Sequence, residues 1–311
     1  MAEERRFELP GRAGESGPDR IGLGLAALGR PGYLNLGHGE DVGPDHSVTA
    51  LRRLTHEVLD AAYEAGVRYF DAARSYGRAE EFLGQWLADR DPPDVVVGSK
   101  WGYVYTAGWE VDADPPEVKH HDVQTLRRQL HETRERLGDR LALYQIHSAT
   151  PQSGVLTDDA VVAELAGLRR SGIAVGLSVS GEEQPETIGR AVRLGVFDAV
   201  QATWNLHERS AEDALALAHE RGMAVLVKEA LANGRLTARG DTGFDDATAL
   251  AGVLARPWVD VVLSGAATVA HLRSNLRALE VEWTAELERD AAALVEDPGD
   301  YWDHRGSMAW T

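Results

Sequence analysis

The sequence predicts an α/β fold, a parallel eight-stranded (β/α)₈ or TIM barrel with long loops between strands and helices, from three observations. Eight short apolar segments alternate along the chain with stretches of helical periodicity. The segments are apolar throughout, as strands buried on both faces of a parallel sheet are. With 311 residues, the chain is long enough for eight strand–helix units and a sizeable core. Eight units at this length favour a closed barrel over an open doubly wound sheet.

The first element is a strand predicted over residues 21–28. Its Gly22-x-Gly24-x-x-Ala27 spacing is similar to a dinucleotide-binding fingerprint, but such a fingerprint opens a helix directly. A loop rich in glycine follows here instead, over residues 29–45. We therefore do not expect a Rossmann fold.

From residue 48 onward the alternation becomes regular. No linker or compositional break divides the chain, so we expect a single domain over residues 1–311. Within it, residues 1–19 form a lead-in, residues 20–280 the barrel, and residues 281–311 a C-terminal helix and an aromatic tail. Helices are predicted over residues 48–65, 79–88, 123–137, 158–170, 185–194, 210–221, 246–255 and 269–279. The remaining strands are predicted over residues 69–71, 95–100, 142–147, 174–178, 198–203, 224–228 and 259–264.

Polar residues close seven of the predicted strands. In a parallel barrel the carboxyl ends of all strands share one rim, and ligands bind at that rim. Helix capping alone would explain the aspartate and the serines, but a lysine or histidine that closes a buried strand is costly unless it is paired. The strand-terminal residues are Asp71, Lys100, His147, Ser178, Thr203, Lys228 and Ser264.

Two loops that lead from a strand to the next helix are long, over residues 29–47 and 101–121. The second begins with alternating aromatic residues, which indicates an extended ribbon. Long aromatic loops at a barrel mouth commonly form substrate walls, and packing against the barrel is the alternative. We therefore expect a substrate pocket, with the aromatic tail folded over the mouth. Its predicted lining residues are Tyr33, Trp101, Tyr103 and Trp204.

Composition excludes several classes of function. The 50 acidic and 32 basic residues give a formal net charge of −18, which argues against binding to nucleic acids or anionic membranes. Cysteine is absent, so disulfides, thiol nucleophiles and cysteine zinc sites are excluded. The N-terminus lacks an apolar signal core and no apolar run approaches 18 residues, which predicts a cytoplasmic protein. The adjacent His120 and His121 would point apart on a helix, so we expect no metal site.

Several motifs along the chain carry a resemblance to a known family. In them the chain resembles the aldo-keto reductase superfamily, over about residues 20 to 280. The resemblance implies a barrel enzyme that reduces an aldehyde or ketone with a nicotinamide cofactor. The motifs are Phe70-Asp71-Ala72-Ala73-Arg74-Ser75-Tyr76-Gly77, Gly98-Ser99-Lys100, Tyr144-Gln145-Ile146-His147, Gly176-Leu177-Ser178, Gln201, Leu231-Ala232-Asn233-Gly234-Arg235-Leu236, Ser264-Gly265-Ala266-Ala267-Thr268 and Asn275.

The chemistry of carbonyl reduction accounts for the catalytic residues that the resemblance implies. Reduction leaves charge on the carbonyl oxygen, so a proton donor must lie within hydrogen-bond reach of it. We expect Tyr76 to be this general acid. A free tyrosine has a pKa of about 10, and Lys100 would lower it while Asp71 keeps the lysine charged and oriented. His147 would hydrogen-bond the carbonyl oxygen and orient it for reduction.

The resemblance also implies that NADP(H) lies extended across the rim, with NAD(H) as the alternative. By position, Ser178 and Gln201 would hold the carboxamide, and His271 and Asn275 would contact the adenosine end. The phosphates would lie at the N-terminus of the last barrel helix, which is a ready anion site. Further cofactor residues by position are Lys228, Leu231, Asn233, Gly234, Ser264, Gly265, Ala266 and Thr268.

Three departures from the family pattern bear on the cofactor. Val179 stands where the family commonly has asparagine. Lys228 stands where many members stack an aromatic ring on the nicotinamide. Gly265 and Ala267 replace basic residues that many members use for the 2′-phosphate, which leaves His271 and Arg273 as weaker candidates.

Two other functions stay open at this point. One is an NAD-dependent sugar or polyol dehydrogenase that uses the same site in the oxidising direction. The other is a cofactor-binding regulatory barrel with little turnover. The expected partner is a small-molecule carbonyl compound whose identity the sequence leaves open, as it does the oligomeric state.

Overall fold

The structure, a computed structural model, describes residues 7–311. Residues 1–6 of the predicted lead-in lie outside the described residues. Eight parallel strands close into a barrel in which strands that follow one another in the chain are neighbours, and the last strand pairs with the first. The predicted (β/α)₈ fold is therefore confirmed. The barrel strands are β1 (Ile21–Gly24), β2 (Tyr69–Asp71), β3 (Val96–Trp101), β4 (Leu141–Ala149), β5 (Ala174–Val179), β6 (Ala199–Thr203), β7 (Ala224–Lys228) and β8 (Val261–Ser264).

Helices connect the strands and cover the outside of the barrel. Several of them begin at a polar cap: for example, Asp122 Oδ1 accepts a hydrogen bond of 2.8 Å from the Thr125 N–H at the first turn of α4. The helices are α1 (His38–Val42), α2 (Val48–Glu64), α3 (Ala79–Arg90), α4 (Val123–Leu137), α5 (Asp159–Arg170), α6 (Gln184–Leu194), α7 (Glu212–Glu220), α8 (Asp246–Leu254), α9 (Val269–Leu276), α10 (Ala285–Ala292) and α11 (Pro298–Ser307).

The first strand is shorter than the prediction over residues 21–28, because it ends at Gly24. The Leu25 N–H donates to the Asp71 carbonyl, and the Leu28 N–H then turns back to the Leu25 carbonyl. The apolar run continues through this turn because its side chains are buried under α2, so apolar character alone did not mark the end of the strand.

Both long loops contain structure of their own. The loop over residues 29–47 includes the short helix α1. In the loop over residues 101–121, Tyr103–Tyr105 pairs antiparallel with Glu117–Lys119, so the predicted ribbon is confirmed. The C-terminal region contains two helices, α10 and α11, where the sequence predicted one.

The lower half of the barrel interior is a closed apolar core. Tyr69, Leu143 and Leu226 fill it, and Leu9 of the lead-in packs against them from below. Gly98 of β3 makes room for the Tyr69 hydroxyl, because a Cβ at position 98 would collide with that oxygen. Among the described residues, the interior is therefore closed by apolar side chains in its lower half, and the cavity opens at the rim where the polar strand ends lie.

Across residues 7–311, no helix is both long enough and apolar enough to cross a bilayer.

Candidate active site

The four predicted catalytic residues lie together at the centre of the rim. Lys100, at the end of β3, forms a fully buried ion pair with Asp71 of β2. Its Nζ also donates to the Ala72 carbonyl at 3.1 Å and lies 3.4 Å from the Tyr76 hydroxyl. The Tyr76 ring packs edge-on against the His147 ring, with the centroids 5.3 Å apart. A carboxylate, an ammonium group, a phenol and an imidazole thus lie side by side at the centre of the rim.

Asp71 is held by more donors than Lys100 alone. Its Oδ1 accepts hydrogen bonds from Tyr69 Oη at 3.1 Å, from Gln201 Nε2 at 3.1 Å and from Gln145 Nε2 at 3.3 Å. Sequence analysis missed Tyr69 and Gln145. Each lies two residues before a predicted catalytic residue on the same strand, and this period-two spacing is the signal that places them on the same face.

His147 is held as a neutral imidazole. Burial lowers its pKa well below the ordinary value, and the charges of Lys100 and Arg30 act in the same direction. Its Nδ1 lies 3.3 Å from the Ser75 hydroxyl, and when that hydroxyl donates, Nε2 carries the proton. The backbone is fixed as well, because His121 Nε2 donates to the His147 carbonyl at 2.8 Å.

The hydroxyl of Tyr76 keeps its proton. Burial raises the pKa of Tyr76 well above its ordinary value, and the charge of Asp71 raises it further. This direction is opposite to the lowering that we expected from Lys100. Arg30, whose guanidinium lies 5.3 Å from the centre of the Tyr76 ring, does lower the pKa but does not outweigh burial.

A cavity of about 560 Å³ opens above these residues and extends along the rim. This volume is within the usual range for small-molecule sites. Lys100 and Thr268 do not line it: Lys100 is buried beneath Asp71, and Thr268 caps α9. The predicted site residues that line the cavity are Tyr33, Asp71, Tyr76, His147, Ser178, Gln201, Lys228, Leu231, Asn233, Gly234, Ser264, Gly265, Ala266, His271 and Asn275.

The start of α9 forms one wall of this cavity, and its chemistry fits a diphosphate. Thr268 caps the helix by accepting a hydrogen bond of 3.1 Å from the His271 N–H. A Cβ built at Gly265 would have no neighbour within 4 Å, so the turn before the helix is open to a ligand. Positively polarised N–H groups beside an open turn are the donors that a phosphate requires.

The loop that follows β7 provides the opposite wall. Asn233 and Gly234 have positive φ angles of 56° and 98°. The Asn233 side chain donates to the Leu34 carbonyl at 2.8 Å. It therefore ties this wall to the loop over residues 29–47 and leaves only part of its surface facing the cavity.

The far end of the cavity contains charged residues that sequence analysis missed. Arg239 donates to both carboxylate oxygens of Asp41, including a bond of 2.7 Å to Oδ2. His271 Nε2 lies 3.5 Å from the same carboxylate. Asp246 accepts a hydrogen bond of 3.0 Å from Ser274. No sequence motif links Asp41 to Arg239, because the two positions are 198 residues apart.

Of the four predicted pocket residues, Trp101 and Trp204 lie elsewhere. Both are fully buried in the core, Trp101 against His121 and Trp204 against Trp258. The reason is strand alternation: each follows a residue that faces the barrel interior or its rim, so each points outward toward the helices.

Of the other two predicted pocket residues, Tyr33 is among the residues that line the cavity and Tyr103 is not. Tyr103 packs on the His147 ring with the centroids 5.0 Å apart. Tyr33 lines the cavity and contacts Trp310 from the aromatic tail. The Arg30 guanidinium lies 4.3 Å from the centre of the Trp310 ring. Sequence analysis did not assign Arg30 or Trp310 to the pocket, although it expected the tail to cover the mouth.

A second charged cluster lies at the end of β7. Lys228 Nζ donates to Thr203 Oγ1 at 2.7 Å and to Ser180 Oγ at 3.3 Å, and burial lowers its pKa to about 8. Glu229 forms a bidentate pair with Arg305 of α11, with Arg305 Nε 2.8 Å from Oε2. Burial alone would raise the pKa of Glu229, but Arg305 and Lys228 outweigh it and hold that pKa at about 2.

In residues 7–311, no three histidine, aspartate or glutamate side chains come together in an arrangement that would hold a metal ion.

Comparison with known proteins agrees with this geometry. The model of the aldo/keto reductase family matches residues 20–249. The chain is 24% identical over 285 residues to the oxidoreductase YqkF of Bacillus subtilis, which covers 80% of this chain and 89% of that protein. It is 27% identical over 267 residues to pyridoxal 4-dehydrogenase of Microbacterium luteolum, covering 74% and 78% of the two chains. A solved structure from Pseudomonas aeruginosa, assigned to the aldo-keto reductases, is 27% identical with a TM-score of 0.66 and covers 88% of this chain and 97% of its own. The chain therefore belongs to the aldo/keto reductase family of oxidoreductases.

Proposed function

We propose that this protein reduces an aldehyde or ketone to an alcohol with NAD(P)H, using Tyr76 as the general acid. The observation that carries the proposal is the contact of Lys100 with both Asp71 and Tyr76, beside a neutral His147. A bound nicotinamide would supply the hydride. Ser178 and Gln201, which line the cavity beside His147, are the residues that would hold its carboxamide.

The role of each side chain in the proposed reaction follows from its protonation state. His147 donates through Nε2 to the carbonyl oxygen and orients it. Tyr76 stays protonated until the oxygen becomes basic, and it then donates its proton to that oxygen. Lys100 stabilises the negative charge left on the Tyr76 oxygen, 3.4 Å from its Nζ. Asp71 keeps Lys100 in place and balances its charge in this buried site.

The proposed test replaces Tyr76 with phenylalanine. With an aldehyde such as 4-nitrobenzaldehyde, kcat/KM should fall by about 10²–10⁴, because the variant lacks the proton donor. The dissociation constant of the cofactor should not change. Tyr63→Phe is the matched control, since its hydroxyl contacts Asp94 on the surface. Full activity of Tyr76→Phe would contradict the mechanism.

For the cofactor we favour NADP(H), with NAD(H) as the alternative. Arg239 and His271 are basic side chains near the far end of the cavity, and both currently face Asp41. A 2′-phosphate would have to compete with that carboxylate. Titration with NADPH and NADH, followed by quenching of tryptophan fluorescence, distinguishes the two, because Trp310 lies in the cavity wall.

Arg239→Met provides the control for this titration. It should weaken the binding of NADPH by about tenfold or more, as expected for loss of a charge-assisted contact, while leaving the affinity for NADH little changed. An equal loss of affinity for NADPH and NADH would mean that Arg239 does not bind the 2′-phosphate. Tighter binding of NADH by the unmodified protein would make NAD(H) the cofactor.

A dehydrogenase that works in the oxidising direction is the second candidate, because one relative is a pyridoxal 4-dehydrogenase. Oxidation of a sugar or polyol with NAD⁺, without reduction of any carbonyl in a broad screen, would favour it. Cofactor binding without turnover in either direction would favour a regulatory barrel.

A further inference from the structure

Among the described residues, Lys100 and the lysine and arginine side chains that line the cavity have close carboxylate partners, with one exception. Lys100 is paired with Asp71, and Arg305 forms its bidentate pair with Glu229. Arg30, which is almost completely buried, contacts Glu117 at 3.1 Å. These three pairs are electrically neutral.

Lys228 is the exception. Neutral hydroxyls of Thr203 and Ser180 hold its ammonium group. Among the described residues, the one carboxylate within 4 Å is Glu229, at 3.9 Å, and both of its oxygens are already bound by Arg305. The Lys228 side chain is only 15% exposed. A cation this buried without its own counter-ion is costly, and a ligand that brings a negative charge would relieve the cost.

Donors beside Lys228 complete an arrangement that suits an oxyanion. The hydroxyls of Ser148 and Ser180 lie 3.2 Å apart and line the cavity together with Lys228. His147, which immediately precedes Ser148 in β4, faces the same cavity. An anionic group held here would therefore belong to a molecule whose other end reaches the catalytic residues.

We propose that Lys228, with the Ser148 and Ser180 hydroxyls, selects carbonyl substrates that carry a carboxylate group. The proposal rests on the proposed carbonyl reduction, but the binding of an anion at this site can be measured without turnover. Lys228 is in this view a specificity residue, because a charged hydrogen bond to the substrate carboxylate replaces the missing counter-ion.

The first experiment measures binding without cofactor. Benzoate and its neutral isostere benzamide are titrated by calorimetry into the unmodified protein, Lys228→Met and Lys228→Arg. We expect benzoate to bind about 10- to 100-fold more tightly than benzamide, as a charge-assisted contact allows. The preference should disappear in Lys228→Met and persist in Lys228→Arg. Far-UV circular dichroism confirms that each variant is folded.

The second experiment measures selectivity in turnover. The ratio of kcat/KM for 4-carboxybenzaldehyde to that for its neutral methyl ester should fall by about 10- to 100-fold in Lys228→Met. Use of the ratio cancels any effect of the substitution on the cofactor. If the unmodified protein reduces neither aldehyde but binds benzoate through Lys228, the proposed function fails and the anion site stands.

Two outcomes would overturn the proposal. One is benzoate binding that Lys228→Met leaves intact, since another cation would then hold the carboxylate. The other is an equal affinity for benzoate and benzamide in the unmodified protein.

Discussion

Asp71 shows how one carboxylate organises a buried site. It balances Lys100 and also accepts hydrogen bonds from Tyr69, Gln145 and Gln201. A buried carboxylate with this many donors is pinned in one orientation, and Lys100 is pinned with it. The position of Lys100 beside Tyr76 is therefore a property of the whole cluster.

Removal of one donor tests this account at the scale of a residue. In Tyr69→Phe the free energy of unfolding should fall by about 1.5–3 kcal/mol, because a hydrogen bond to a charged acceptor is lost in the core. Urea denaturation measures the change. Tyr144→Phe is the control, since Tyr144 packs in the outer cluster with the helices, away from Asp71. An equal loss of free energy of unfolding in both variants would mean that the hydrogen bond to Asp71 contributes no more to stability than the Tyr144 hydroxyl does.

Sequence analysis predicted the residues whose position depends on a strand end, and missed those brought in by distant loops. Asp71, Lys100 and His147 each close or nearly close a strand, so the parallel topology alone places them on one rim. Arg305 lies 76 residues from Glu229 in the sequence, and no local pattern predicts the contact between them. Trp101 and Trp204 were misplaced because composition indicated an aromatic wall, whereas strand alternation turned both side chains outward.

At the scale of elements, an ion pair joins α11 to the barrel. Arg305 inserts from this helix into the cavity wall and binds Glu229, whose side chain is 9% exposed. The backbone of Glu229 has a positive φ of 54°, so the carboxylate is presented from a strained turn. The pair thus joins the rim to the covering helix.

Arg305→Met should destabilise the protein because it leaves the buried Glu229 carboxylate with only the more distant Lys228, 3.9 Å away, as a cationic partner. The expected loss is about 2–4 kcal/mol, below that of a fully enclosed pair since Arg305 is partly exposed. Chemical denaturation provides the measurement. In the double variant Arg305→Met with Glu229→Gln, much of this loss should be recovered, because the carboxylate that lost its close partner is no longer present. A double variant as unstable as the single one would refute the electrostatic explanation.

Element boundaries were predictable where a cap or a glycine marks them. The helix predicted over residues 123–137 has those bounds in the structure, because Asp122 caps its start and Gly138, with a φ of 55°, ends it. The end of β1 has no such marker, and the apolar run simply continues into a buried turn.

At the scale of the whole molecule, buried histidines make the fold sensitive to mild acid. Burial lowers the pKa of His38 and of His121 to about 4, from 6.5 in an unfolded chain. A lowered histidine pKa means that the folded state holds the neutral form. Its stabilising contribution is complete above pH 6.5 and is lost as the pH falls from 6.5 toward 4, where the unfolded chain takes up protons first.

The free energy of unfolding should fall by about 1–2 kcal/mol per histidine between about pH 6.5 and about pH 5, a window in which carboxylates stay ionised. Urea titrations at several pH values measure this slope. His121→Gln removes the titrating imidazole and keeps a donor for the His147 carbonyl. It should therefore reduce the slope of the free energy of unfolding against pH. His131→Gln, at an exposed position on α4, should not. A slope that His121→Gln leaves unchanged would exclude His121 as a source.

The space that Gly98 leaves for the Tyr69 hydroxyl has a consequence for how this sequence can evolve. A side chain at position 98 collides with the tyrosine oxygen and also crowds the ring carbon that bears it, so loss of the hydroxyl alone would not make enough room. We therefore expect a larger residue at position 98 to be tolerated only when position 69 already carries a shorter one. Substitutions at the two sites should then be coupled in their order, and the Tyr69 donor to Asp71 should be kept only together with this glycine.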